Sequence, residues 1–365
     1  MVSVKNNRKS LSEVLITKNL SSNNSVFDRM KNLLKNPFGQ FIFLGVLLLI
    51  VNALAQMKIL PKSLSISVAS TIIYAIIAIG FCLLLGYSGL ASLGTAGFAG
   101  IGAYCAYYAL QEMGMSFVTA LLLSVLVAGL IGIIVGFISL RIEGMYLAIL
   151  TLGLAEILFE VFVNLKQMPM IKSANITFFF LKLDDTGKFA LITVMFVILL
   201  ILTNNLINSP TGRAMLTMKN STSAAQAMGI SLLKYRLLAF VISTIYASIG
   251  GMLYMMLISS ISASSSTFLS LSMSLNILGA VIVGGSRSLW GTSIGTLLIF
   301  GVQSIFLGNI PFFEENPQFM GIVSGVLIVV VVMFYPGGLA QLYIELKSKL
   351  MKLLAKRKVK KYGIN

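Results

Sequence analysis

The chain has 365 residues, 57% of them hydrophobic and 10% charged, against about 25% charged in a typical soluble domain. That composition excludes an ordinary soluble globule and reads as an all-α polytopic integral membrane protein. Histidine is absent, which removes HExxH metalloproteases, Ser–His intramembrane proteases and most imidazole metal sites. No GxxxxGK[ST] phosphate loop is present, since Gly187-Lys188 is followed by Phe189 and lacks the upstream glycine, so any ATP chemistry must come from another polypeptide.

Residues 1–39 read as a polar, basic cytoplasmic arm without the apolar core of a signal peptide. From there to 340 extends a transmembrane domain. Its apolar runs at 40–60, 66–86, 93–110, 117–139, 144–165, 188–208, 235–258, 268–284, 288–307 and 318–335 are each compatible with a crossing. The runs at 93–110 and 268–284 are short and polar-rich, so the expected count is about ten spans, with eight spans and two re-entrant segments as the alternative. The net charge of +16 serves as an orientation signal. With the N-terminus inside, the inner Lys and Arg are seven before residue 40, Arg141, four between 209 and 236, Arg287 and eight after 345, which makes 21 of 27. This bias predicts both termini in the cytoplasm and an even number of spans.

Taken in chain order, the first unusual segment is Gly86–Tyr104, GYSGLASLGTAGFAGIGAY. Glycines at 86, 89, 94, 97, 100 and 102, with Ser88, Ser92 and Thr95, replace the Leu, Ile and Val of a lipid-facing span. Small residues there mean close helix approach, or irregular backbone that is tolerated only inside protein or beside a cavity. Gly86, Ser88, Ser92, Thr95, Gly97, Gly100 and Gly102 are therefore candidate pathway residues. Cys82 and Cys105 lie in spans and read as small apolar packers.

Arg141 and Glu143 flank the inner start of the next-but-one span and read as a headgroup-level pair; a contact with a cytoplasmic partner is the alternative. Glu156 falls roughly 18 Å along a hydrocarbon core about 30 Å thick. A carboxylate there costs about 2.5–3.5 kcal/mol, so Glu156 should be a buried polar group facing the bundle or water. Both a helix–helix hydrogen bond and a place in the pathway are open to it. Glu160, one turn on, is nearer the outer surface.

The loop 209–234 is the one long inner connection. Pro210 and Gly212 break the preceding helix. Ser221, Thr222 or Ser223 can cap a short helix through Ala224–Met228 that Gly229 terminates. Such a helix offers a groove on a partner little more than the Met228 and Gln226 side chains; a helix lying on the membrane surface is the other reading. Beyond it, Ser259–Ser274 reads as an outer serine cluster at a helix start, and Arg287 as an inner-turn residue. The segments 93–110 and 268–284 are the third and eighth of ten spans, corresponding positions of an inverted 5+5 repeat around a pathway. The basic tail 341–365 suits an anionic lipid surface.

Five segments in order then carry a resemblance. GRAMLTMKNSTSAAQAMGISLLKYRLLAFVISTIYASIGGMLY (212–254) is similar to the cytoplasmic loop and following span of the permease subunits of branched-chain amino-acid ABC importers. GYSGLASLGTAGFAGIGAY (86–104), LRIEGMYLAILTLGLAEI (140–157), LGAVIVGGSRSLWGTSIG (278–295) and FYPGGLA (334–340) resemble further motifs of the same family. Thr95 stands where the family usually has His, Asn276 where many members have Glu, and Thr292 where they have Pro.

The resemblance implies a bacterial inner-membrane permease subunit of an ATP-driven importer for leucine, isoleucine and valine. It implies a paralogous permease as heterodimer partner, two cytoplasmic ATPase subunits that use ATP and Mg, and an extracytoplasmic binding protein or lipoprotein. The chain itself would be no enzyme, bind no cofactor or metal and touch no nucleic acid. Arg213, Ala224, Ala225, Met228 and Gly229 match the ATPase-coupling motif, and Asn276 joins the pathway set. Importers of urea, short amides, sugars or nucleosides, and an ion-coupled secondary transporter, are the alternatives.

Overall fold

The computed structural model describes residues 37–57, 61–139, 145–165, 168–169, 176–178, 181–182, 184–258, 260–261, 267–315, 318–335, 337–342 and 345. The expectations for the arm before residue 37, for Arg141 and Glu143, for most of the 259–266 serines and for the basic tail lie outside these residues. The chain divides into two compact units, Met1–Ile50 and Val51–Asn365. The described part of the first is the start of a continuous apolar helix, α1 (Pro37–Gln56).

Every apolar run carries a helix. After α1 come α2 (Lys62–Cys82) with a π-helical end Leu83–Ser88, α3 (Thr95–Tyr107) with a π-helical end Tyr108–Glu112, α4 (Phe117–Ser139), α5 (Met145–Asn164) and α6 (Asp185–Asn208). The loop helices α7 (Pro210–Asn220) and α8 (Thr222–Ala227) precede α9 (Leu232–Leu257) and α10 (Leu271–Gly284). Next come α11 (Leu289–Thr296) with a long π-helical continuation Leu297–Phe306, α12 (Pro311–Glu315) and α13 (Gln318–Phe334). Among the described residues, seven helices are long and apolar enough to cross a membrane, and Leu271–Gly284 and Phe319–Phe334 are shorter apolar helices. α3 is not among these helices: its α-helical part has 13 residues, and its π-helical end closes on the polar pair Gln111-Glu112.

Short 3-10 turns at Thr267–Leu269 and Leu307–Asn309 and two antiparallel ladders of two residues each complete the described structure. One pairs Met168–Pro169 with Ser260–Ile261, and the other pairs Thr177–Phe178 with Leu181–Lys182. The first ties the connection after α5 to the connection after α9, so those two helices end on the same side.

α2 and α9 form the centre: 78% and 67% of their apolar windows are buried, against 22% for α5. Small residues allow this. A Cβ on Gly102 of α3 would strike the Ser248 carbonyl of α9, and a Cβ on Gly251 of α9 would strike the Ala99 carbonyl of α3. The two backbones therefore touch, in the manner of small-residue crossings between membrane helices. Beside this crossing the Ser124 and Ser248 hydroxyls, both fully buried, hydrogen-bond at 2.8 Å and link α4 to α9. Toward the side where α9 ends, Tyr74 stacks on Phe300 at 4.0 Å, and Tyr254 on Phe268 at 3.8 Å. Beyond Thr119 in its first turn, the side chains that α4 leaves exposed, among them Leu122, Leu126, Ile133 and Ile134, are apolar, as a lipid-facing surface requires.

Candidate translocation and coupling site

The loop between α6 and α9 folds as two capped helices. Ser209 accepts the Gly212 N–H at 3.3 Å, with Pro210 in the first helical position, and so starts α7. Ser221 accepts the Ala224 N–H at 3.2 Å and starts α8. Gly229, at φ 76°, ends α8, and the Ile230 N–H reaches back to the Ala225 carbonyl at 2.9 Å, the closure expected of a left-handed helix stop. Ala225 is fully buried while Arg213, Ala224 and Gly229 are exposed. Met228 is 64% exposed. An exposed methionine on a small helix is an adaptable apolar knob.

α7 is anchored to the bundle by contacts that no local sequence pattern announces. Lys219, in its last turn, donates to the carbonyls of Leu85 at 3.1 Å and Gly86 at 2.8 Å. These belong to the π-helical end of α2, where a helix leaves its last carbonyls without intrahelical partners. Burial first, and then the nearby Arg287 guanidinium, lower the Lys219 pKa below the ordinary lysine value. The adjacent Asn220 accepts from Arg287 Nη2 at 3.1 Å, and the Tyr87 hydroxyl donates to the Arg287 carbonyl at 3.1 Å. Gly86 has to be glycine because a Cβ would occupy the position of the Ser286 carbonyl. Gly89, at φ 74°, turns the chain away, and the Lys219 stem lies 3.1 Å from where its Cβ would be. Sequence reasoning missed Lys219 because its acceptors lie more than 130 residues earlier.

A small cavity lies next to this junction. Leu84, Ser92, Thr95, Phe98, Phe240, Ser243, Thr244 and Ala247 line about 10 Å³, room for a single water and far too little for an amino acid. Its wall is held by two backbone donors, for Leu93 N–H donates to Thr151 Oγ1 and Ala96 N–H to Ser274 Oγ, each at 2.9 Å. The second bond joins the start of α3 to α10, the two segments that the span count pairs as third and eighth.

The candidate residues therefore separate. Ser92 and Thr95 line the cavity. The Ser88 hydroxyl is committed to the Leu84 carbonyl at 2.6 Å. Gly97 and Gly100 face Leu158 and Phe162 of α5, and Gly102 faces α9; these three are packing positions. Asn276 is partly buried on α10 and is not among the cavity-lining residues. Glu156 corrects an expectation, for it is exposed on this chain rather than buried among its helices. With Ile157, Glu160, Val161, Asn164 and Leu165 it borders an open groove along α5. The helix turns that face outward because its buried face is taken by Leu147, Thr151, Ala155 and Phe162.

The family described as branched-chain amino acid transport system / permease component matches residues 63–332, most of the chain. The chain belongs to this permease family. The high-affinity branched-chain amino acid transport system permease protein LivM of Escherichia coli K12 is 28% identical to this permease over 298 residues, 74% of this chain and 68% of the relative. LivM of Salmonella typhimurium LT2 is 28% identical over 305 residues, 75% of this chain and 69% of the relative. The probable ABC transporter permease protein YphD of Escherichia coli K12 is 32% identical over 130 residues, 33% of this chain and 36% of the relative. No solved structure matches significantly. The permease is thus a multi-pass membrane protein and one component of a transport system.

Proposed function

We propose that this permease is the transmembrane subunit of an ATP-binding-cassette importer that moves leucine, isoleucine and valine across a bacterial inner membrane. The family match over 63–332, with LivM relatives covered over about two thirds of their length, carries this reading. A binding protein docks outside with the solute, a paralogous permease completes the membrane part, and two ATPase subunits bind and hydrolyse ATP. The chain supplies shape rather than chemistry. Its α8 helix, with Met228 outward, enters a groove of an ATPase, so that ATPase closure is felt by the loop. The cavity at Ser92 and Thr95 is the closed part of the pathway.

Ten spans with both termini inside are supported by which connections meet. The ends of α2, α7 and α10 converge at Lys219, Gly86 and Arg287, and Gly285 touches the Gly337 region after α13. The connections after α5 and α9 pair through the strand ladder. Counting ten spans, every meeting joins connections of one parity, as alternation across a membrane requires. The contact of α3 with α10, and of α2 with α9, fits an inverted 5+5 arrangement.

Glu156 and Glu160 then face the second permease. A carboxylate near mid-span on a lipid face is costly, and a partner subunit or an aqueous path between the two removes that cost. Reconstitution with the ATPase, second permease and binding protein should give leucine uptake that requires ATP. Uptake that survives ATP depletion and collapses with the proton gradient would overturn the proposal in favour of a secondary transporter.

A further inference from the structure

The exposed α8 knob and the Ser92–Thr95 cavity are separate features. If α8 is the ATPase-coupling helix, a reading on which the role given below to Lys219 rests, a mechanical link must join the two. Three bonded contacts run between them. Lys219 holds the Leu85 and Gly86 carbonyls, Asn220 holds Arg287, and Tyr87 holds the Arg287 backbone. Cys82 Sγ adds a fourth, donating to the Ser286 carbonyl at 3.2 Å. α8 comes after α7 with only Ser221 between them. On the other side, five residues separate Gly89 from Thr95, and Ser92 is one of them.

We propose that Lys219 is the positioning residue that transmits loop movement to the pathway, by tying the ATPase-facing helix pair to the carbonyl end of α2 and through it to the cavity wall. An ammonium suits the task because its several donors can hold two carbonyls at once, and these carbonyls have no helical partner of their own. Gly86 lets the 285–288 turn seat directly on the α2 end, and Asn220–Arg287 ties that turn to the same loop. A push on α8 therefore moves α2 and the α10–α11 turn together, while a neutral side chain at 219 leaves α8 docked and the pathway still.

The test uses the full-length chain co-expressed with the second permease and the ATPase subunits, reconstituted with the binding protein and supplied with leucine. ATP hydrolysed and leucine imported are measured together with the ATPase retained on purification. Lys219→Gln is expected to keep its ATPase subunits and basal hydrolysis while ATP spent per leucine rises about tenfold or more, and Lys219→Arg to restore most of the coupling. A Lys219→Gln complex with the wild-type ratio overturns the proposal, and so does one that sheds its ATPase, because Lys219 would then serve docking. A wild-type chain that captures no ATPase at all would instead sink the coupling-loop reading. If Lys219→Gln fails to accumulate, Asn220→Ala, which removes only the Arg287 acceptor, is expected to raise the ratio several-fold, about threefold or more; an unchanged ratio there counts against the link.

Discussion

Lys219 donates to the carbonyl of Gly86 at 2.8 Å across 133 residues of chain. It does so because Gly86 leaves room for the Ser286 carbonyl and Gly89 leaves room for the lysine stem. A loop helix, a span end and an inter-span turn are thus assembled around two glycines.

Those glycines should tolerate change poorly, for different reasons. Gly86→Ala meets a backbone carbonyl that cannot swing aside, and overpacking of this kind costs about 1–3 kcal/mol. Gly89→Ala is strained by its positive φ, by about 1–3 kcal/mol. Thermal unfolding of the detergent-purified permease should show both as lower midpoints, with Gly86→Ala also losing uptake. A wild-type midpoint for Gly86→Ala would contradict the packing described for the 285–288 turn.

Replacement of Met228 should separate docking from folding. The side chain is exposed, so Met228→Asp should leave the unfolding free energy within about 0.5 kcal/mol of wild type. The charge should nevertheless weaken capture of the ATPase by about tenfold or more, since a carboxylate is poorly accepted in an apolar groove. Pull-down of the ATPase by the tagged permease measures it directly.

Glu156→Ala should lower uptake more than Glu160→Ala at equal membrane abundance. Eleven residues from the start of α5 place Glu156 about 16 Å along the helix, deeper than Glu160 and where a charge is least tolerated outside a protein or water environment. Equal losses from the two substitutions would remove the distinction.

The buried Ser124–Ser248 pair should respond asymmetrically. Ser248→Ala leaves the Ser124 hydroxyl without its partner at 2.8 Å, whereas after Ser124→Ala the Ser248 hydroxyl keeps the Ser124 carbonyl at 3.3 Å. An orphaned buried hydroxyl costs about 1–3 kcal/mol. Denaturation of both single variants and the double variant should therefore rank Ser248→Ala as the more damaging, with the double variant milder than the sum.

Much of the architecture was legible in the amino acids. A membrane demands internal satisfaction of every backbone group, so long apolar runs can only become helices, and the break at Pro210 and the short helix between Ser221 and Gly229 were readable because caps and breakers act within four residues; α7, which Ser209 caps and which runs through Gly212, was not. Small residues between Gly86 and Tyr104 correctly announced close helix approach. What each of them approaches was not legible: Gly97 and Gly100 meet α5, Gly102 meets α9, and only Ser92 and Thr95 reach the cavity. Glu156 shows the same limit, since cost arguments say that a carboxylate needs cover but not which subunit gives it. Lys219 and Arg287 show it most clearly. In the sequence they are two of 27 basic residues that set orientation, a role that depends on charge alone. Their bonds to the end of α2 and to Asn220 depend on the meeting of three distant connections, and only the folded chain brings those together.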